Sequence, residues 1–225
     1  MRLLLTGATG LVGQGVLHEC LLADDVEQVT ALLRRSTGRE HPRLRELLLD
    51  DFVQAARVQD RFSGIDACLY CAGAPPLGTA GDEYRRVTVE LTLAVAHAYA
   101  AANPRGRFLY ISGAHADSGS RLMPLRVKGE AEDALRALPI TTVMLRPGGI
   151  APAHGERSGH ALLRPVYALG GPAMGLAAKL LPGMMTTTAA VGRALLALAR
   201  MADPPRIVEN ADINRLGRLK GDGGN

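Results

Sequence analysis

The sequence has 225 residues, the size of a single α/β domain, and 47% of them are hydrophobic, which is enough for a substantial core. Charged residues make up 21%, the net charge is +4, and there is no Trp and only 4% aromatic content. So few aromatic side chains argue against a protein that stacks nucleic-acid bases, and the modest positive charge suits an anionic small ligand.

The apolar stretches are too short or too interrupted for targeting or for crossing a membrane. Three leucines at 3–5 are followed by Thr6 and Gly7, so they do not form a signal peptide. The longest later stretch, 162–181, contains Arg164 and Lys179, which argues against a membrane span and leaves a packed helix or an interfacial contact. Three cysteines, an odd number, are consistent with a reducing compartment, so we expect a cytoplasmic protein.

Apolar strand-like runs alternate with helical patterns along the whole chain. Strands are predicted at 3–5, 29–33, 46–50, 67–71, 108–112, 142–145 and 206–209, and helices at 12–21, 52–62, 82–102, 125–138 and 189–201. This alternation predicts an α/β protein with a doubly wound parallel sheet, a Rossmann fold forming one domain over residues 1–225. Gly and Pro become frequent over 150–188, which we interpret as a substrate-side segment or a covering loop.

A glycine loop directly follows the first predicted strand. Gly7, Gly10 and Gly13 form G-x-x-G-x-x-G between that strand and the first helix. One glycine permits a sharp turn, the next lets the backbone approach a pyrophosphate, and the third lets the helix pack on the strand. The helix N-terminus adds free N–H groups and a positive dipole, so we predict a nicotinamide dinucleotide site. Its candidate binding residues are Gly7, Thr9, Gly10, Leu11, Val12 and Gly13.

The end of the second strand indicates which dinucleotide is bound. A cofactor with a free ribose 2′-hydroxyl favours an acidic residue here, but the chain has Arg34 and Arg35, with Arg39 and Arg43 close behind. A guanidinium matches a 2′-phosphate in charge and geometry, so NADP is favoured over NAD. Arg39 and Arg43 are equally consistent with a solvated basic loop.

The pair Cys68 and Cys71 forms C-L-Y-C but lies in a predicted buried strand that runs into a turn. A redox pair favours a helix N-terminus, and no second Cys/His pair has zinc spacing. We therefore interpret both as core thiols and predict no metal site.

The glycine loop, Cys71-Ala-Gly73, Ile111-Ser-Gly113, Lys128 and Arg146-Pro-Gly148 together resemble the short-chain dehydrogenase/reductase superfamily. The spacing is similar to its atypical branch, near the NAD(P)-dependent epimerase/dehydratase-like proteins. The resemblance implies that Asp51 and Phe52 contact adenine and that Ser112 holds the position of the catalytic Ser. It implies that Lys128 binds the nicotinamide ribose. Further cofactor contacts are implied for Cys71, Ala72, Gly73, Pro147 and Gly148.

One position departs from the family pattern. The family places its catalytic Tyr four residues before the Lys, and this sequence has Pro124 there. Proline has no proton to donate. The resemblance therefore leaves the catalytic chemistry open, with Ser112, His115 and Asp117 as candidate replacements in the loop after the fifth strand. An ordinary loop residue is the alternative interpretation of His115, and a surface Lys is the alternative for Lys128.

Two functions of different kinds fit these observations. The first is an NADP-dependent oxidoreductase, or an epimerase-like relative, acting on an unidentified small carbonyl or hydroxyl compound. The second is a non-catalytic NADP(H)-binding protein that reports redox state to a partner. Nucleic-acid binding has only the mild basicity in its favour. A homo-oligomer or a protein partner fits either function.

Overall fold

A computed structural model describes residues 1–156, 181 and 183–218. Their strands, as observed, are β1 Arg2–Thr6, β2 Gln28–Leu33, β3 Leu44–Leu48, β4 Ala67–Tyr70, β5 Arg107–Ile111, β6 Thr141–Arg146, β7 Gly149–Ala151, β8 Met185–Thr187 and β9 Ile207–Glu209. Seven of these form one parallel sheet in the order β3-β2-β1-β4-β5-β6-β9. The predicted single-domain Rossmann fold is confirmed, with the third strand beginning two residues earlier than predicted.

Helices connect the strands. They are α1 Leu11–Leu22, a 3-10 helix Phe52–Phe62, α2 Gly81–Arg85, a π-helical turn Arg86–Glu90, α3 Leu91–Ala102, α4 Met123–Arg136, α5 Thr188–Arg200 and α6 Asn210–Leu216. The helix predicted at 82–102 is therefore three consecutive helical segments. A π-helical turn inside a longer helix is rare and is frequently found at functional sites.

The strands are buried on both faces, and alternate residues pack into two separate cores. On β1, Leu3 and Leu5 belong to a core completed by α1 and α5. Leu4 faces the other core, which is formed with the 3-10 helix, α3 and α4. This two-sided burial explains why the strands read as continuous apolar runs in the sequence.

The segment 150–188 is described only at its two ends. There, β7 and β8 pair in parallel as a separate two-stranded sheet, with Ile150 opposite Thr186. The rest of the predicted substrate-side segment, residues 157–180 and 182, lies outside the described residues. Within the described ranges, no helix combines the length and the apolarity needed to cross a membrane.

Candidate cofactor and active site

Two glycines of the loop are required by the fold itself. Gly7 has a positive φ of +71°, and a Cβ there would lie 2.5 Å from the carbonyl oxygen of Cys71. A Cβ on Gly13 would lie 2.0 Å from the carbonyl oxygen of Gly7. The first glycine thus makes the turn and the third lets α1 pack on β1, as their spacing predicted.

Gly10 differs, because few of the described residues lie near it. Among them, a Cβ there would have one neighbour within 4 Å, the Gly7 carbonyl oxygen at 3.3 Å, and the φ of −84° at Gly10 suits any residue. Gly10 is the N-cap of α1 and provides no side-chain cap, and the first turn of α1 contains no acidic residue. Uncapped N–H groups beside open space form a cradle that fits a pyrophosphate. Thr9 is exposed at this cradle, whereas Leu11 and Val12 are half-buried.

The turn after β4 is attached to the glycine loop by Thr6. The buried Thr6 hydroxyl accepts hydrogen bonds from the backbone N–H groups of Cys71 and Ala72, both at 3.1 Å. Gly73 follows, exposed and with none of the described residues within 4 Å of where a Cβ would lie. The structure therefore brings the predicted Cys71-Ala-Gly73 turn beside the cradle.

The basic cluster after β2 separates into two groups. Arg34 and Arg35 are exposed, and neither guanidinium makes a hydrogen bond or ion pair with any described residue. Arg43 instead donates to the carbonyl oxygens of Ala23 at 2.6 Å and Val26 at 2.8 Å, and so stabilises the end of α1. Arg43 is therefore engaged by carbonyl groups at and just beyond the end of α1, which contradicts the interpretation of a freely solvated basic loop and leaves its guanidinium less available to a 2′-phosphate.

Asp51 lies where β3 leads into the 3-10 helix. Its carboxylate accepts a hydrogen bond from the Val53 N–H at 3.1 Å and pairs with Arg86 at 2.5 Å. Phe52 is buried in the core, so its ring is not available to a ligand. Arg86, which begins the π-helical turn, was missed by sequence reasoning because it lies 35 residues from its partner.

Lys128 lies at the carboxyl end of β5. Its Nζ donates to the Tyr110 hydroxyl oxygen and to the Ile111 carbonyl oxygen, both at 3.1 Å. Burial lowers the pKa of Lys128 to about 8, although the nearby Glu132 carboxylate acts in the opposite direction. The structure therefore holds a titratable ammonium group at the position where the family resemblance implied a ribose-binding Lys.

Ser112 has a partner inside the protein. It is buried, and its hydroxyl donates to Glu132 Oε1 at 2.6 Å. The buried Glu132 carboxylate is also bound by Arg146 at 2.6 Å and Arg136 at 3.0 Å. Ser112 thus helps to satisfy a buried charge, a role that its position at a strand end did not predict. No spacing signal distinguished Glu132 from other helical glutamates.

The remaining candidates surround the start of α4. Pro124 lies in the first turn of this helix, where proline needs no N–H partner. His115 is exposed and left-handed, with φ of 60°, and Asp117 accepts a hydrogen bond from the Gly119 N–H at 2.9 Å. A Cβ on Gly129 would lie 2.0 Å from the Ser118 nitrogen, so this loop crosses α4 one residue from Lys128.

The loop after β6 joins this site to β8. Pro147 accepts a hydrogen bond from the Ala114 N–H at 2.9 Å, and the Gly148 N–H donates to Asn210 at 2.9 Å. A Cβ on Gly148 would lie 2.1 Å from the carbonyl oxygen of Met184. Pro147 and Gly148 therefore lie at the carboxyl edge of the sheet, together with the loop that precedes α4.

The two cysteines of C-L-Y-C face opposite sides of the sheet. Cys68 lies in the core that contains α4, whereas Cys71 packs against the core that contains α1. Both are free thiols, and burial raises the pKa of each. The interpretation of core thiols is confirmed for Cys68, and Cys71 is half-buried. In the described part of the chain, His, Cys, Asp and Glu form no group of three that could hold a metal ion.

Curated proteins of similar sequence come from fungi. The chain is 25% identical over 138 residues to Leucinostatins biosynthesis cluster protein T of Purpureocillium lilacinum, covering 60% of this chain and 51% of that protein. It is 30% identical over 152 residues to Protein fmp52-1, mitochondrial, of Aspergillus oryzae, covering 65% of each. The chain thus spans about half to two thirds of the length of these relatives.

Solved structures share the fold at low sequence identity. A dTDP-glucose 4,6-dehydratase from Streptomyces venezuelae, with NAD and TYD bound, has a TM-score of 0.69 and 15% identity, covering 92% of this chain and 74% of that one. A UDP-glucuronic acid 4-epimerase from Bacillus cereus, in complex with NAD, has a TM-score of 0.65 and 15% identity, covering 92% and 76%. At this identity the likeness concerns the fold alone.

A family model gives the assignment. The model described as NAD dependent epimerase/dehydratase family matches residues 3–122, which is more than half of the chain and includes the glycine loop and the turn after β4. This match confirms the resemblance that the motifs indicated. The chain belongs to the NAD dependent epimerase/dehydratase family.

Proposed function

We propose that this protein binds NADP(H) and acts as an oxidoreductase on a small carbonyl or hydroxyl compound. The observation that carries the proposal is an open phosphate cradle at Gly10 beside Arg34 and Arg35 at the end of the adjacent strand, two guanidinium groups without a partner among the described residues. The cradle suits the pyrophosphate of any dinucleotide. The guanidinium groups favour the form that carries an additional phosphate.

The preference for NADP follows from charge and geometry. Arg34 directly follows β2, where a carboxylate would bind the ribose hydroxyls of NAD, and its guanidinium has no competing partner among the described residues. A guanidinium can donate two parallel hydrogen bonds to a phosphate. The same group gains less from a neutral 2′-hydroxyl, so NADPH should bind more tightly than NADH.

The chain provides specific groups for the reaction. Bound NADPH supplies a hydride. Lys128 is held at the end of β5 by Tyr110 and Ile111, and in this proposal its remaining N–H donor binds a ribose hydroxyl. Pro147 and Gly148 form the neighbouring loop, where the family resemblance implies contacts with the nicotinamide amide.

Proton transfer is the incomplete part of this site. Pro124 cannot donate a proton, and Ser112 is engaged by Glu132. A substrate oxygen would then take its proton from Lys128, from His115 or from water. We therefore expect slower reduction than the family's usual chemistry allows, since general acid catalysis typically contributes ~10²–10⁴-fold.

The proline at position 124, beside an intact phosphate cradle, also favours a second function. A chain that keeps the cradle but has Pro124 in place of a proton donor could bind NADP(H) without consuming it and report redox state to a partner. The two functions differ in whether NADPH is oxidised. Only the sensor function requires the NADPH and NADP⁺ complexes to differ in conformation, because the partner must distinguish them.

The test combines binding with turnover. Calorimetry measures NADPH and NADH binding, and NADPH consumption is then followed against a panel of aldehydes, ketones and quinones. We expect selective NADPH binding and slow consumption that is lost in Lys128→Met. Binding without consumption across the panel would favour the sensor. Absence of binding to either dinucleotide would contradict both functions.

A further inference from the structure

The described surface carries unusually exposed apolar side chains. Among the described residues, the three most exposed large hydrophobic side chains are Leu77 at 72%, Met184 at 68% and Leu122 at 64%. Single exposed apolar residues are ordinary, but several at one place indicate a surface that binds something apolar. The positions of these three side chains in the fold distinguish scattered residues from a common surface.

The sheet topology brings them to one edge. Leu77 is in the connection after β4 and Leu122 is in the connection after β5, and these strands are neighbours. Met184 adjoins the loop after the next strand, β6, because its carbonyl oxygen accepts a hydrogen bond from the Gly149 N–H at 2.9 Å. All three residues thus belong to adjacent connections at the carboxyl edge, where α/β proteins bind ligands.

An ion pair joins the helices that follow two of these connections. Arg85 in α2 and Glu130 in α4 pair at 3.3 Å. Leu77 lies four residues before α2 begins at Gly81, and Leu122 is the N-cap residue of α4. The connections that carry the two leucines therefore lead into neighbouring helices.

The short chain segments around Leu77 and Met184, and the residues directly after β6, contain no charged side chain. Residues 71–81, 147–153 and 183–187 include no Asp, Glu, Lys or Arg. In the connection that carries Leu122, the charged residues are Asp117 and Arg121. Among these described residues, Arg121 is the one cationic partner for a diphosphate or sugar-acid group, whereas an apolar substrate would lose little by leaving water against the uncharged segments.

From these observations we infer that the substrate carries its reacting carbonyl or hydroxyl group on an alkyl or aryl body, which binds against Leu77, Leu122 and Met184. These three side chains are called the apolar rim below. The inference rests on the proposed function, because it takes Lys128 to mark the reacting end of the site. It goes beyond that function by naming the substrate class as apolar rather than sugar-like.

Straight-chain alcohols from butanol to nonanol test the apolar rim without requiring turnover. Their binding is measured by calorimetry on the whole 225-residue chain, with and without NADP⁺. We expect affinity to rise about fourfold per added CH₂, which corresponds to ~0.8 kcal/mol for each buried methylene. Leu122→Ser and Met184→Ser should each flatten this dependence on chain length. Leu22→Ser, at an equally exposed leucine at the far end of α1, is the matched control and should leave the dependence unchanged.

Several results would overturn the inference. These are affinity that does not depend on chain length, an equal effect of Leu22→Ser, and UDP-glucose binding more tightly than nonanol. Sedimentation can give another such result. If Leu122→Ser converts a dimer to a monomer and leaves alcohol binding unchanged, the apolar rim binds a second copy of the chain rather than a substrate. Reduction of short polar carbonyls alone would contradict the apolar rim while supporting the proposed function. A failure to bind either dinucleotide would contradict the proposed function, and the alcohol series without cofactor would still test the apolar rim.

Discussion

Lys128 Nζ lies 3.1 Å from the Tyr110 hydroxyl oxygen, and this contact joins α4 to β5 at the carboxyl edge of the sheet. The same nitrogen lies 4.8 Å from the centre of the Tyr110 ring, so the ammonium group also rests near the face of the aromatic system. An ammonium has three N–H donors, and Tyr110 and the Ile111 carbonyl take two of them. The third donor can then serve a ligand.

This arrangement predicts how cofactor binding depends on pH. Because the pKa of Lys128 is lowered to about 8, the group is a cation below that pH and a neutral amine above it. A charged donor is roughly 1 kcal/mol stronger than a neutral one, so NADPH affinity should fall about fivefold as pH rises from about 7 to about 9.5. Calorimetry across this range measures the change. Lys128→Arg stays charged, so its NADPH affinity should not fall with pH. Lys128→Met should bind NADPH weakly at every pH. If the affinity of Lys128→Met still fell with pH, another group would be responsible for the titration.

The glycine loop predicts opposite effects at two positions. Gly10→Val should nearly abolish NADPH binding and leave the unfolding temperature almost unchanged, because its new side chain meets open cradle rather than protein. Gly13→Ala should destabilise the fold by about 1–3 kcal/mol, because its Cβ would collide with the Gly7 backbone. Calorimetry and thermal unfolding of both variants separate the roles. A folded Gly10→Val with undiminished affinity would show that the phosphates bind elsewhere.

Arg34 should determine the choice between cofactors. A charge-assisted hydrogen bond to the 2′-phosphate is worth ~1.5–3 kcal/mol, so NADPH should bind about tenfold or more tightly than NADH. Arg34→Ala should remove most of this preference and leave NADH affinity nearly constant. Arg105→Ala, at an exposed arginine before β5 and at the opposite edge of the sheet, is the control and should have little effect. Equal affinities of the natural protein for the two cofactors would contradict the NADP assignment.

Restoring a hydroxyl at the start of α4 should increase turnover. Pro124→Tyr introduces a proton donor one helical turn before Lys128, and the gain in NADPH consumption should reach at most ~10²–10⁴-fold. Pro124→Phe provides the ring without the hydroxyl and accounts for the loss of the proline. Equal rates for the Tyr and Phe variants would mean that the side chain at this position does not reach the substrate. His115→Ala in the natural protein tests the alternative donor.

Ser112 should matter more for stability than for reaction. Ser112→Ala removes a donor from the buried Glu132 carboxylate, which should cost about 1–3 kcal/mol of unfolding free energy, while Arg146 and Arg136 retain most of its stabilisation. Denaturant unfolding measures this cost. Ser118→Ala, at an exposed serine of the same loop, should change little. Unchanged stability together with lost turnover would return Ser112 to the reaction.

The sequence alone determined the fold and the position of the cofactor loop. Continuous apolar strands alternating with helical patterns require a parallel sheet covered on both faces, because the backbone of such strands must be buried and paired. The turn at Gly7 and the packing of Gly13 on Gly7 are readable because they depend on backbone geometry over seven residues, whereas the close approach of Gly7 to the Cys71 carbonyl oxygen is set by the sheet. The boundaries of β3 and the π-helical turn at Arg86 were not readable, because packing against neighbours rather than local pattern sets them.

The roles of individual polar residues were decided by tertiary structure. Ser112 and Glu132 are 20 residues apart, and Arg43 contacts the end of α1 from a similar distance in sequence. Sequence spacing cannot reveal such pairs, because a hydrogen bond depends on the distance and direction between two atoms, which only packing sets. The sequence therefore predicts a catalytic role for Ser112, whereas the structure shows that this serine is a hydrogen-bond partner of a buried carboxylate.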